Sequence, residues 1–318
     1  MAELLTLGWA GDVATPSAGK RRLDWVATLA AAVLITISTA SGVLEQARVD
    51  DEPAAAQRSG SGDGGSVALG RESVIGAFTG VPYTYPSPAR ISNPGATNAT
   101  DFTIDPVHWY TDPFKSPIYY GARVAHWLSS GKVGTGVDFI HSKAIATLDE
   151  EANFSGTLDG QPLPPRARIH DILNKLEFSH GHNMLLLNAF LRLPSIGARI
   201  SPYVGAGGGV LLPHTEIGYT NGSRPRTYEY NYAGPAGQAL AGIEIRLATL
   251  SLFVEYKFTY GHYGAPLSET EGSWLPLDLW RQAQRWLAGE QPPGGHISTE
   301  IVSHQVVGGL AVRIAPGR

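Results

Sequence analysis

The stretch Leu250 to His262, LSLFVEYKFTYGH, decides the fold. Leu250, Leu252, Val254, Tyr256, Phe258 and Tyr260 take its even positions, and Ser251, Phe253, Glu255, Lys257, Thr259 and Gly261 its odd ones. A period of two belongs to a β-strand, whose successive side chains point to opposite faces. One face is apolar; the other carries a carboxylate and an ammonium two residues apart. A water-soluble sheet would show the ionic face to solvent. A membrane barrel turns that face inward and gives the apolar face to lipid.

Working outward, seven further segments alternate in the same way: Glu72–Thr84, Ser116–Leu128, Val133–Ala146, Asn183–Leu193, Arg199–Pro213, Arg226–Leu247 and Ser298–Ile314. With the opening stretch they make eight strands, an even number, each about long enough to cross a bilayer at a tilt. The connections are longer after the first, third, fifth and seventh strands and short after the second, fourth and sixth, where Ser129–Lys132, Pro194–Ala198 and Ala248–Thr249 suffice. Short turns on one side and long loops on the other are the outer-membrane pattern. The expectation is all-β: an eight-stranded antiparallel transmembrane-type barrel, its long loops on one rim. Eight strands leave no pore, so side chains fill the interior. Arg123, Arg192, Glu244, Arg246, Glu255, Lys257 and Arg313 fall on the inward phase, and their mixed signs predict a salt-bridged plug.

Composition agrees. Of 318 residues, 38 are Gly, 13 Tyr and 7 Trp, and only 16% are charged. No cysteine is present, which excludes disulfides, thiolate catalysis and Cys-ligated metal sites in this chain. A net charge of -4 gives no electrostatic footprint for nucleic acid.

Upstream, Lys20, Arg21 and Arg22 precede an apolar run from Trp25 to Val43. It reads as a signal peptide with a small-x-small site at Ser38-Thr39-Ala40, or as an uncleaved apolar anchor helix, since about 20 apolar residues span a bilayer. Three regions follow: a tail with the signal or anchor segment (1–44), a flexible Gly/Ser-rich linker (45–70) and the barrel domain (71–318). In the third long loop, SWLPLDLWRQAQRWLAGE (273–290) predicts a short amphipathic helix carrying Trp274, Trp280 and Trp286. It is either a lid on the barrel mouth or a helix lying in the outer leaflet.

Of ten histidines, all but His126 fall in the long connections or at strand ends beside them, so they gather on one rim. Carboxylates such as Glu177 and Glu216 join them. Histidine with carboxylate suits a divalent metal at a nitrogen/oxygen site, iron or manganese, and also acid–base catalysis. The metal-ligand candidates are His180, His182, His214 and Glu216. Ser303, His304 and Glu300 invite a hydrolytic triad, but Ser303 and His304 point to opposite faces of one strand.

The runs GVDFIHSK (136–143), LEFSHGHNMLLLNAFLR (176–192), SPYVGAGGGVLLPHTEI (201–217), YEYNYAGPA (228–236), FVEYKFTY (253–260) and STEIVSHQVVGGLAV (298–312) together resemble the lipid A oxidases of α-proteobacteria. The resemblance covers about 75–317 in the family's order. It implies an outer-membrane enzyme that uses oxygen to convert the proximal glucosamine of lipid A to 2-aminogluconate, with lipopolysaccharide as its membrane-lipid partner. The motif-borne polar residues are Asp138, His141, Lys143, Glu177, Asn183, His214, Glu216 and Glu255. Of these, His141, Lys143, Asp138 and Glu255 are the catalytic candidates. The chain departs from the pattern in its terminus, Ile314-Ala315-Pro316-Gly317-Arg318, where such barrels end on an aromatic residue. It departs also in its tryptophan-bearing loop and long N-terminal segment. These features define an alternative: a non-enzymatic subunit, tethered by 25–43 to a larger inner-membrane complex, with the barrel on the periplasmic side.

Overall fold

The computed structural model describes residues 70–94, 99–222, 224–272 and 274–314. The apolar run 25–43, the linker up to residue 69 and the last four residues lie outside them. In chain order the elements are β1 (Glu72–Thr84), β2 (Ser87–Asn93), β3 (Thr100–Val107), β4 (Trp109–Tyr110), β5 (Tyr120–Trp127), β6 (Val133–Ala146), β7 (Glu151–Leu158), β8 (Gln161–Pro162), β9 (Arg166–Arg168), α1 (Ile169–Ile172), β10 (Leu173–Arg192), β11 (Ile200–Leu211), β12 (His214–Tyr219), β13 (Thr227–Tyr230), β14 (Gly234–Arg246), β15 (Leu250–Pro266), α2 (Leu275–Ala288) and β16 (His296–Ile314).

Eight of these strands form a ring. The antiparallel order is β1-β5-β6-β10-β11-β14-β15-β16, and β16 returns to β1 in register from Ser73↔Ile314 to Thr84↔Ser303. Closure leaves these strands no open edge along the paired length. The alternation read from the sequence sets the two faces. On β15, Ser251, Phe253, Glu255, Lys257 and Thr259 are buried, while Val254, Tyr256 and Phe258 are exposed. Neighbouring strands repeat this, with Val124, Val137, Leu187, Ile243 and Leu310 all exposed. The outside of the ring is therefore a continuous apolar wall. Among the described residues no helix is long and apolar enough to cross a membrane.

The interior holds the ionic plug in two layers. In the upper one, Arg123 donates from Nε and Nη2 to the two oxygens of Asp138 at 2.6 and 2.7 Å and also pairs with Glu255. Lys257 Nζ lies 3.0 Å from Asp138 and 3.3 Å from Glu255, and Tyr203 donates to Glu255 at 2.6 Å. Two cations thus meet two anions, each satisfied by several donors, the condition under which buried charge is tolerated. Nearer the short turns, Glu72 accepts from Arg192 and Arg246, and Arg192 also reaches Glu244 at 3.1 Å. Glycines make the room. A side chain at Gly121 would collide with the Phe78 ring, its cross-strand partner.

Above the ring the long connections are structured rather than open loops. The strand expected to begin at Asn183 begins at Leu173, and the one expected as Arg226–Leu247 divides into β13 and β14. The strand expected from Ser116 begins at Tyr120, because 116–119 turn to pack Tyr119 into the interior. The upper half of β16 pairs β2, then β3 and β7; the upper half of β10 pairs β12, then β13. The apolar core continues upward beneath these extensions, where Ile91, Phe102, Ile104, Leu176, Phe178 and Ile297 are buried.

Candidate functional site

The site is built on the sheet β6-β10-β12-β13 where it rises above the ring. Register aligns Glu177 with Glu216, and β12 with β13 so that His214 faces Tyr230 and Glu216 faces Tyr228. Residues two apart share a face, so His214, Glu216, Tyr228, Tyr230, Glu177 and Lys175 converge on one side.

That side is the outside. On β6, His141 and Lys143 are covered but in phase with the exposed Val137. Tyr120, paired with His141, and Tyr110, paired with the next residue in that phase, Ile145, are exposed. The phase carries across the bulge in β10, where Phe178 and His182 pair with Ala144 and Ser142. Two extra residues on β10 keep the parity while the chain kinks. Gly181 sits in this bulge at φ 148°, where a side chain would strike that of Asn183.

Glu216 is the hub. Its carboxylate is fully buried and takes a hydrogen bond from the Ser179 hydroxyl at 3.0 Å, an ion pair from Lys175 Nζ at 2.6 Å, and contacts from Nδ1 of His214 at 3.1 Å and of His180. Burial alone would raise the Glu216 pKa. The hydrogen bonds from His214, Lys175 and His180 outweigh it and hold the carboxyl well below the usual carboxylate range. Tyr228 and Tyr230 pack edge-on against His214, at 4.4 and 4.6 Å between ring centres.

One ligand atom each from His180, His214 and Glu216 lie within 4.8 Å of one another. Two imidazoles and one carboxylate on one side of a cation, with the other side open, are the ligand set of non-haem Fe(II) oxygen chemistry and also fit zinc or manganese. Both Nδ1 atoms already aim at one carboxylate oxygen, so small movements would bring them around an ion. Lys175 supplies positive charge to the same carboxylate and would compete with the metal.

Three of the four expected ligands therefore meet, and the fourth does not. His182 is turned to the inner side, 1% exposed, with its Nδ1 on the Tyr263 hydroxyl. The catalytic candidates divide likewise. His141 and Lys143 lie on the outer face below the Glu216 hub: His141 is stacked by Tyr120 at 4.6 Å and bonded through Nδ1 to Asn183, and Lys143 donates to the Lys115 carbonyl at 2.9 Å. Asp138 and Glu255 lie on the other side of the wall, in the ionic plug. Sequence reasoning missed Lys175, Ser179, Tyr228 and Tyr230. Only the β10–β12–β13 register assembles them.

No family model matches the sequence, and no curated relative matches it. Among solved structures, Neisserial surface protein A (NspA) aligns over 76% of this chain and 96% of its own, at 8% identity and a TM-score of 0.32. The outer membrane protease OmpT from Escherichia coli aligns over 78% and 98%, at 6% identity and a TM-score of 0.32.

Proposed function

We propose that this chain is a bacterial outer-membrane barrel that oxidises lipid A. It converts the C1 hemiacetal of the proximal glucosamine to a lactone as oxygen takes up the two electrons and two protons to give hydrogen peroxide, with water then opening the lactone to the carboxylic acid of 2-aminogluconate. The observation that carries the reading is the placement of the His180–His214–Glu216 set on the outer face, in phase with the apolar wall. A membrane lipid would reach the set sideways at its exposed member, His180, from the layer its head group occupies and without entering the ring. The plugged interior offers no competing route for a substrate.

A divalent iron or manganese ion held by His180, His214 and Glu216 would supply oxygen activation. The chain's own residues do the rest. The exposed ammonium of Lys115, whose carbonyl accepts from Lys143, would meet a lipid A phosphate. Lys175 and Ser179 fix the Glu216 carboxylate. Tyr228 and Tyr230 wall off His214 from water. His141, its Nδ1 held by Asn183, has a buried Nε2 with no protein partner, suited to taking a proton from the sugar hydroxyl. Asp138 and Glu255 hold the barrel shut rather than touch substrate.

The test is to incubate the full chain with lipid A lacking the C1 phosphate, so that the C1 hydroxyl is free, under oxygen, with iron, manganese or zinc added in turn, and to weigh the product. The expected result is a gain of one oxygen atom, absent anaerobically and absent with Glu216→Gln. An unchanged mass with every metal refutes the activity.

A further inference from the structure

Helix α2 is packed inside out. Its buried side chains are Asp278 and Gln282, while Trp280 is 60% and Leu287 86% exposed, with Trp274, Leu277 and Trp286 also exposed. A helix on a water-soluble surface turns its apolar stripe to the core and its polar residues to solvent.

The cause is the outer edge of β13, where the backbone of 270–272 pairs with Tyr228 and the helix takes over beyond it. Asp278 accepts from the Tyr230 amide at 3.3 Å; Gln282 accepts from the Tyr232 amide at 2.7 Å and donates to the Tyr232 carbonyl at 3.0 Å. These two side chains, one turn apart, substitute for the next strand and satisfy an edge that would otherwise be open. The helix is thereby fixed with its polar side inward and cannot roll to bury its tryptophans.

We infer that the outward side of α2 is a membrane-docking surface, seated in the head-group layer of the bilayer that the ring spans. This rests on the lipid-facing reading of the wall. Three observations point to lipid as the occupant. The attachment ends at Tyr232, two residues before β14, whose outward and exposed Pro235, Ala239 and Ala241 lead down the strand to Ile243 and Ile245 of the apolar wall, and Trp286 packs on the exposed Tyr232 ring at 5.8 Å. The patch is continuous with the wall, not an island. Its chemistry is that of the interface, tryptophans beside the half-exposed Arg281, whose guanidinium is within reach of lipid phosphates. Trp274, Trp280 and Trp286 are each more than half exposed, and with Leu277 and Leu287 they put an apolar patch of the kind that marks an interaction surface on the outward side. The docked helix would stand beside the Glu216 hub, since β13 carries both α2 and the tyrosines flanking His214.

The test uses the full chain in phosphatidylcholine vesicles brominated either near the carbonyls or near the chain ends. Tryptophan emission of the wild type is compared with that of Trp280→Phe, and Leu187→Trp serves as an independent probe of the wall. The expected result is that carbonyl-level bromine quenches emission that is lost in Trp280→Phe, while chain-end bromine quenches Leu187→Trp. Quenching of Leu187→Trp without any of Trp280 overturns the docking and leaves the spanning ring intact. Quenching of neither overturns both. Trp280 shielded from aqueous acrylamide yet untouched by brominated lipid assigns the surface to a protein, a second copy or another subunit, and also overturns the inference.

Discussion

Arg123→Met tests whether the interior is a balanced ionic plug. Arg123 touches both carboxylates of the upper layer, Asp138 through two hydrogen bonds and Glu255 through its other guanidinium nitrogen. Its loss leaves two buried carboxylates facing the single ammonium of Lys257. Breaking a buried pair by removing one partner costs about 3–5 kcal/mol, because the remaining charge is left uncompensated. At about 4 kcal/mol the folded-to-unfolded ratio falls roughly a thousandfold. Adding Glu255→Gln restores one anion to one cation, and the double variant should recover most of that loss. The assay is guanidinium unfolding in vesicles, followed by tryptophan emission, for the wild type, both single variants and the double. A coupling energy of about 2 kcal/mol or more is expected for such a contact pair. A single-variant cost under about 1 kcal/mol, or strict additivity, would refute the reasoning.

Removing any one of the three ligands (His180→Ala, His214→Ala or Glu216→Gln) should weaken divalent-metal binding by roughly tenfold or more, while Lys175→Met should tighten it because a competing cation leaves the carboxylate; calorimetric titration reads both signs. His182→Ala should leave metal affinity unchanged, since that ring faces the inner side. Gly121→Ala should cost about 1–3 kcal/mol by overpacking Phe78, whereas Gly208→Ala, whose nearest neighbour is an oxygen at 3.6 Å, should be neutral or slightly stabilising in the same unfolding assay.

The ring was legible because one face of each strand meets the exterior and the other the plug, so polarity alternates with the pleat. The extensions above it were not. β12 is buried on both faces, and the upper part of β10 is interrupted by the bulge around Gly181, so neither keeps a period of two. The site was half legible for the same reason. His180, His214 and Glu216 stood out as rim ligands, but His182 is two residues from His180, and only the bulge explains why the two part. Asp138 and His141 share one motif, yet three residues along a strand reverse the face, which separates plug from site. Tyr228 and Tyr230 carried no chemical signature of their own, and pairing with Glu216 and His214 is what gives them a role.

The most direct measurement of the account places an arginine on the wall. Leu187 is 64% exposed, and its neighbours across the sheet, Val137 and Gly208, leave it free of packing partners that a substitution would break. If lipid covers that face, Leu187→Arg in vesicles should lose about 2–4 kcal/mol of unfolding free energy near the bilayer midplane. If water covers it, the change should stay within about 0.5 kcal/mol, as for an ordinary surface substitution, and that result would contradict the account.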